Sequence, residues 1–253
     1  MRSVLVTGGS RGIGRAVALA FARSGDRVAV QYASDRAEAE ETLRQLPGEG
    51  HAVLRADLGE SGAAEQLVER AVAALGSVDV LVNNAGVAPT AANRHPVAGT
   101  PLADWQRVWR RMVDVNLLAP ADLCWAVARH LIERGDGGAI VNVGSRGAFK
   151  GEPDFPAYGT TKAALHALGQ SLAVALAPHG IAVTSVAPGF VATERQAARL
   201  AGPEGADLRA QSPFGRVGTA EEIAATVHFL ASPAAMWASG TVVDLNGASH
   251  LRL

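Results

Sequence analysis

The chain has 253 residues, of which 48% are hydrophobic and 19% charged, and its formal net charge is -1. That balance can bury a large core and excludes a disordered or acidic-tail protein. Lysines and arginines are dispersed along the chain, so no basic stripe marks nucleic acid as a partner.

No apolar run reaches the roughly 18 residues of a bilayer span, and the opening MRSVLVTGG enters a strand pattern at once. The expectation is a cytoplasmic protein with no membrane partner. The length suits one α/β unit, so residues 1–253 are expected to form a single dinucleotide-binding and catalytic domain. Cys124 is the only cysteine, and its apolar helical surroundings predict a buried thiol without a catalytic role. The seven histidines lack ligand spacing, and no metal is expected.

Short apolar, β-branched runs recur at Ser3–Thr7, Arg27–Tyr32, Ala52–Arg55, Val78–Asn83, Ala139–Val143, Ala182–Val186 and Thr241–Leu245, separated by helix-compatible segments. Their near-continuous hydrophobicity indicates strands covered on both faces. Right-handed crossovers then produce a doubly wound Rossmann fold of the α/β class, a seven-stranded parallel sheet with helices on both faces. Ligands in such sheets bind outside the carboxyl ends of the strands, where strand order reverses.

After the first run comes TGGSRGIG, with Gly8, Gly12 and Gly14 spaced as GxxxGxG, and then the helical pattern RAVALAFARSG. Glycines here permit a tight turn and let a pyrophosphate approach N–H groups at a helix N-terminus. The second run ends in Gln31-Tyr32-Ala33-Ser34, without the tip carboxylate that would bind an adenine ribose and repel a 2′-phosphate. Arg11, Ser34 and Arg36 are candidate phosphate donors, so NADP is expected rather than NAD. Asp35 lies close enough to compete, and Arg36 has the alternative role of a solvated helix-start residue.

Asp57-Leu58 follows the third run, Asn83-Asn84-Ala85-Gly86 ends the fourth, Asn116 lies in the helical VDVNLLAP, and Ser145 ends the fifth. Tyr158 and Lys162 open the next helix four residues apart, sharing one face, where an ammonium could stabilise a phenolate. Pro188-Gly189-Phe190-Val191-Ala192-Thr193 follows the sixth run, and the aperiodic stretch from Ala192 to Gly218 reads as a lid or binding loop.

Together these segments, over essentially the whole length, resemble the single-domain branch of the short-chain dehydrogenase/reductase family, and most closely its 3-oxoacyl-carrier-protein reductase-like members. The resemblance implies a tetrad of Asn116, Ser145, Tyr158 and Lys162. Tyr158 would be the acid/base, Ser145 would hydrogen-bond the reacting oxygen, and Lys162 would also hold the nicotinamide ribose. Asn116 would hold a water linking Lys162 to solvent. The implied cofactor contacts are Gly8, Ser10, Arg11, Gly12, Ile13, Gly14, Asn84, Ala85, Gly86, Pro188, Gly189, Val191 and Thr193, with Asp57 and Leu58 at adenine. An Asp before a helix is equally a routine N-cap, so Asp57 carries both readings. The NNAG segment is implied to be mainly structural.

The expected function is hydride transfer between NADP(H) and a small carbonyl or secondary alcohol. Reduction of a carrier-linked 3-oxoacyl group is one alternative, with Arg107, Arg110, Arg111, Arg129 and Arg134 available as a docking surface. A non-catalytic cofactor-binding regulator or scaffold is another. The resemblance also implies a homo-oligomer, a tetramer built through helices around Asp114–Arg134 and Tyr158–Pro178 and through the last strand. The ending Val243-Asp244-Leu245-Asn246-Gly247 departs from the family's usual aspartate-glycine-glycine.

Overall fold

The computed structural model describes residues 1–252. In chain order the elements are β1 (Ser3–Val6), α1 (Gly12–Arg23), β2 (Arg27–Tyr32), α2 (Arg36–Gln45), β3 (Ala52–Arg55), α3 (Ala63–Leu75), β4 (Val80–Asn83), α4 (Leu102–Val113), α5 (Ala119–Arg134), β5 (Gly138–Val143) and α6 (Pro156–Leu176). There follow β6 (Ile181–Pro188), β7 (Val191–Ala192), α7 (Ala197–Ala201), α8 (Gly205–Ala210), β8 (Gly218–Thr219), α9 (Ala220–Leu230) and β9 (Val242–Leu245).

Seven strands form one parallel sheet in the order β3-β2-β1-β4-β5-β6-β9, the expected doubly wound arrangement. Alternation along each strand divides the core in two. Val4, Val6, Val28, Val30 and Val82 face α1 and α9, with Phe21 and Val227 between them. Leu5, Ala29, Leu81, Ile140 and Val183 face α3 and α5, against Leu67, Leu123 and Val127. Strand order reverses between β1 and β4, since β2 and β3 are added on one side of β1 and β4, β5, β6 and β9 on the other, and this opens the crevice that holds the site.

Two expectations gain detail. The stretch from Ala192 to Gly218, expected as a lid or binding loop, carries α7 and α8 and closes through β7 paired with β8, Val191 beside Gly218. Asn116 sits not on a regular helical turn but on a π-helical one, Asp114–Leu118, joining α4 to α5. That wider turn aims a fully buried side chain at the carboxyl end of the sheet.

Candidate active site

The glycine loop is pinned on three sides. Gln31, buried at the end of β2, accepts from the Gly8 N–H at 2.8 Å and donates to the Ala56 carbonyl at 2.7 Å, joining three strand ends. Asn84 donates to the carbonyls of Thr7 at 2.9 Å and Gly8 at 3.1 Å, and the Thr7 hydroxyl accepts from the N–H groups of Asn84 and Ala85. Arg15 donates to the Ser10 carbonyl at 2.7 Å and pairs with Glu38. Glycine is required at two points. Gly8 has φ +62°, and a Cβ on Gly14 would overlap the Gly8 carbonyl, so helix α1 can lie against the turn only without one.

A nicotinamide dinucleotide suits this end of the cavity. The N-terminus of α1 already takes an anionic group: Glu194, from the segment after β7, accepts from the Gly12 N–H at 3.1 Å and lies 3.6 Å from Arg15. Arg11 precedes the same helix at its N-cap position, without a side-chain capping bond, and lines the cavity, and among the described residues it is paired with no carboxylate.

The catalytic candidates gather at the ends of β5 and α6. Lys162 is buried, and its ammonium donates to the Val143 carbonyl at 2.8 Å. Burial pulls its pKa down to about 8, because the charged form loses its hydration. Burial likewise holds the Tyr158 phenol above its ordinary value, with the Ser145 hydroxyl pulling the other way. The expected depression of Tyr158 by Lys162 is therefore not the governing effect here: the lysine is turned to a main-chain carbonyl, and the phenol remains protonated at neutral pH.

Ser145 Oγ accepts from the Gly147 N–H at 3.0 Å, which fixes its rotamer at the strand end. Asn116 accepts from the Val87 N–H at 2.7 Å and donates to the Val87 carbonyl at 3.2 Å and to Thr161 Oγ1 at 3.3 Å, clamping the chain after β4 to α6. A Cβ on Gly86 would stand 3.2 Å from Asn116 Oδ1 and 3.6 Å from Lys162 Nζ, so a side chain there would wedge between the two. His166, one turn beyond Lys162, stacks on Phe149 at 5.2 Å, with Arg252 of the C-terminal tail over the other ring at 4.1 Å. Burial drops the His166 pKa to about 4, so the ring is neutral.

One cavity of about 700 Å³ brings most of the expected residues together: Gly8, Ser10, Arg11, Gly12, Ile13, Gly14, Ser34, Asp57, Leu58, Asn84, Ala85, Gly86, Ser145, Tyr158, Lys162, Pro188, Gly189, Val191 and Thr193. Asn116 lies behind its wall. Arg36 is not brought in; it opens α2 on the exposed side and donates to Glu40 at 2.7 Å, the solvated helix-start alternative. Asp57 is no N-cap, since α3 starts at Ala63 behind Gly62; its carboxyl instead accepts from the Gly59 N–H at 2.9 Å and from Arg111 at 3.0 Å. Asp35 caps α2, accepting from the Glu38 N–H.

Gln31 lines the cavity too, which was not anticipated, whereas Glu152, Glu194, Arg195 and Gln211 fall in the segments 146–155 and 194–213 expected from the resemblance to form the substrate pocket, without having been singled out there. Gln31 carried a signal, a polar side chain inside an otherwise apolar strand; the others lie in segments without periodicity. Cys124 is buried against Asn83, its thiol pushed up to about 12 by burial, and it stands apart from the cavity lining.

Residues 8–250 match the family model described as Enoyl-(Acyl carrier protein) reductase. The chain is 35% identical to the L-rhamnose 1-dehydrogenase (NAD(P)(+)) of a Sphingomonas species, over 100% of this chain and 97% of the relative. It is 34% identical to the 3-oxoacyl-acyl-carrier-protein reductase FabG of Staphylococcus aureus, over 99% and 98% respectively. A crystal structure of a short chain dehydrogenase from Burkholderia cenocepacia in complex with NADP superposes with a TM-score of 0.88 at 32% identity, covering 98% of this chain and 97% of that one.

Proposed function

Because the chain belongs to the short-chain dehydrogenase/reductase family of oxidoreductases, we propose that residues 1–253 act as one catalytic domain that uses NADP(H) to interconvert a carbonyl and a secondary alcohol. The observation that carries the reading is the opening of Tyr158, Ser145 and Lys162 into the same cavity as the glycine loop.

Nicotinamide, when bound, supplies or accepts the hydride. In reduction, the protonated Tyr158 donates to the substrate oxygen while the Ser145 hydroxyl hydrogen-bonds that oxygen and steadies its developing charge. In oxidation the proton returns to Tyr158. Lys162 would supply positive charge near the reacting oxygen and hold the ribose hydroxyls, and Asn116 keeps the Val87 segment and α6 in register. Asp57 and Leu58 would hold the adenine end, and Val191 and Thr193 the nicotinamide.

NADP is favoured by Arg11, which offers an uncommitted guanidinium beside the helix N-terminus, with Ser34 near the tip of β2 and no carboxylate ending that strand. The relative named for L-rhamnose accepts either cofactor by its name, so the discrimination is decided by titrating NADPH and NADH side by side.

Carrier-linked substrates are the weaker alternative. Of the five arginines available for docking, Arg107, Arg111, Arg129 and Arg134 pair with Asp104, Asp57, Glu133 and Asp79, which leaves Arg110 without an acidic partner among the described residues. A non-catalytic regulator is disfavoured by the intact tetrad. A homotetramer built on the exposed faces of α5 and α6, where Trp125 and Val174 are solvent-exposed, is the proposed assembly, and light scattering tests it. Among the described residues no helix is long and apolar enough to cross a membrane. The functional test is NADPH consumption across a panel of small ketones, hydroxyketones, sugars and an acyl-pantetheine. Activity with any small carbonyl supports the reading, and inactivity across the panel in a cofactor-binding protein contradicts it.

A further inference from the structure

The substrate end of the cavity holds a carboxylate that no protein group answers. Glu152 lies on the turn between Ser145 and Tyr158 and lines the cavity half-buried. Burial raises its pKa, Arg146 and Lys150 act on it only at a distance, and among the described residues no donor hydrogen-bonds its carboxyl.

Two glycines fix its place. A Cβ on Gly147 would stand 2.6 Å from Glu152 Oε1, and one on Gly159 would stand 3.5 Å from its Cγ. Gly147 is the residue whose N–H orients Ser145, and Gly159 follows Tyr158 directly. The side chain thus packs on the backbone of the two glycines next to the residues assigned to the reacting oxygen, and lines the same cavity as they do. Arg146 does not neutralise it, being committed to neutral acceptors, Ser249 Oγ at 2.6 Å and Gln211 Oε1 at 2.9 Å.

An apolar substrate over this carboxylate would strip its remaining water and return nothing, which strongly disfavours the complex. A hydroxyl on the carbon next to the reacting one supplies a donor to a charged acceptor. Arg146, Lys150 and Arg195 line the same cavity and disfavour a substrate ammonium, which leaves a hydroxyl as the donor.

We propose that Glu152 is a specificity residue that accepts a hydrogen bond from a hydroxyl vicinal to the reacting carbon, selecting vicinal diols and α-hydroxy carbonyl compounds over simple alcohols and ketones. The assignment rests on the hydride-transfer reading of the same cavity.

The test is calorimetric titration of the NADP⁺-saturated protein with cyclohexane-1,2-diol and with cyclohexanol, alongside kcat/KM for oxidation of each. The wild type should favour the diol by at least about tenfold. Glu152→Leu should remove that preference, whereas Glu152→Gln, which keeps the shape and an acceptor oxygen, should retain most of it. Equal or undetectable binding of the two alcohols by the wild type, or a preference that survives Glu152→Leu, overturns the assignment. Diol binding that tracks Glu152 with no reduction of NADP⁺ supports the assignment while contradicting the hydride-transfer reading; equal turnover of both alcohols does the reverse.

Discussion

The Lys162 ammonium reaches back from helix α6 to the main-chain carbonyl of Val143, 2.8 Å away at the last residue of strand β5. That bond ties the helix bearing Tyr158 to the strand that delivers Ser145, so the acid/base and the oxygen-binding hydroxyl keep one spacing. It also buries a cation with a single carbonyl as its bonded partner, and this makes Lys162 the titrating weak point of the site.

The pH dependence follows from that burial. With a Lys162 pKa of about 8, kcat/KM for reduction should hold steady below pH 8 and fall above it as the positive charge is lost. Stability moves the other way. Between pH 8 and the ordinary value of 10.5 the unfolded chain binds the proton that the folded one has released, so unfolding free energy rises with pH across this window. Melting curves across the window should show a larger gain for the wild type than for Lys162→Met, and identical gains would contradict the buried titration.

Arg11 is the test of cofactor choice. It stands at the N-cap position of α1, lines the cavity and has no acidic partner among the described residues. Arg11→Ala should weaken NADPH binding by about 10- to 100-fold, the worth of a charge-assisted hydrogen bond, while leaving NADH nearly untouched. Fluorescence titration reads both, and equal losses for the two cofactors would assign Arg11 to the shared pyrophosphate.

Glu194 occupies the Gly12 N–H, a donor suited to pyrophosphate. Removing its charge by Glu194→Ala relieves both competition for that donor and repulsion of the incoming phosphates. The variant should bind NADPH about two- to fivefold more tightly, the scale of one charge at a helix terminus. Weaker binding would mean that the carboxylate instead holds the segment after β7 against the glycine loop.

The strands were legible because burial on both faces leaves a continuous apolar imprint, and most observed ends fall within a residue of those expected. Ser145, Tyr158 and Lys162 were legible through the family resemblance, with spacing alone showing only that Tyr158 and Lys162 share a helix face; the end of β5 and the first turns of α6 then bring all three to one cavity. Arg36 was misplaced because proximity in sequence to β2 says nothing of the i,i+4 partner Glu40 that takes its guanidinium. Helices α7 and α8 are too short, at five and six residues, to show a periodicity. Glu152 and Glu194 were legible only as members of pocket segments, because what each carboxyl meets is set by the folded backbone, at Gly147 and Gly159 for one and at Gly12 for the other.

The most direct measurement is NADPH oxidation with a productive carbonyl substrate by wild type and Tyr158→Phe, paired with NADPH titration of each. Losing only the phenolic hydroxyl should cost about 10²- to 10⁴-fold in kcat while NADPH affinity stays within a factor of a few. A variant that turns over as fast as the wild type would contradict Tyr158 as the proton donor and, with it, the assignment of this cavity as the catalytic centre.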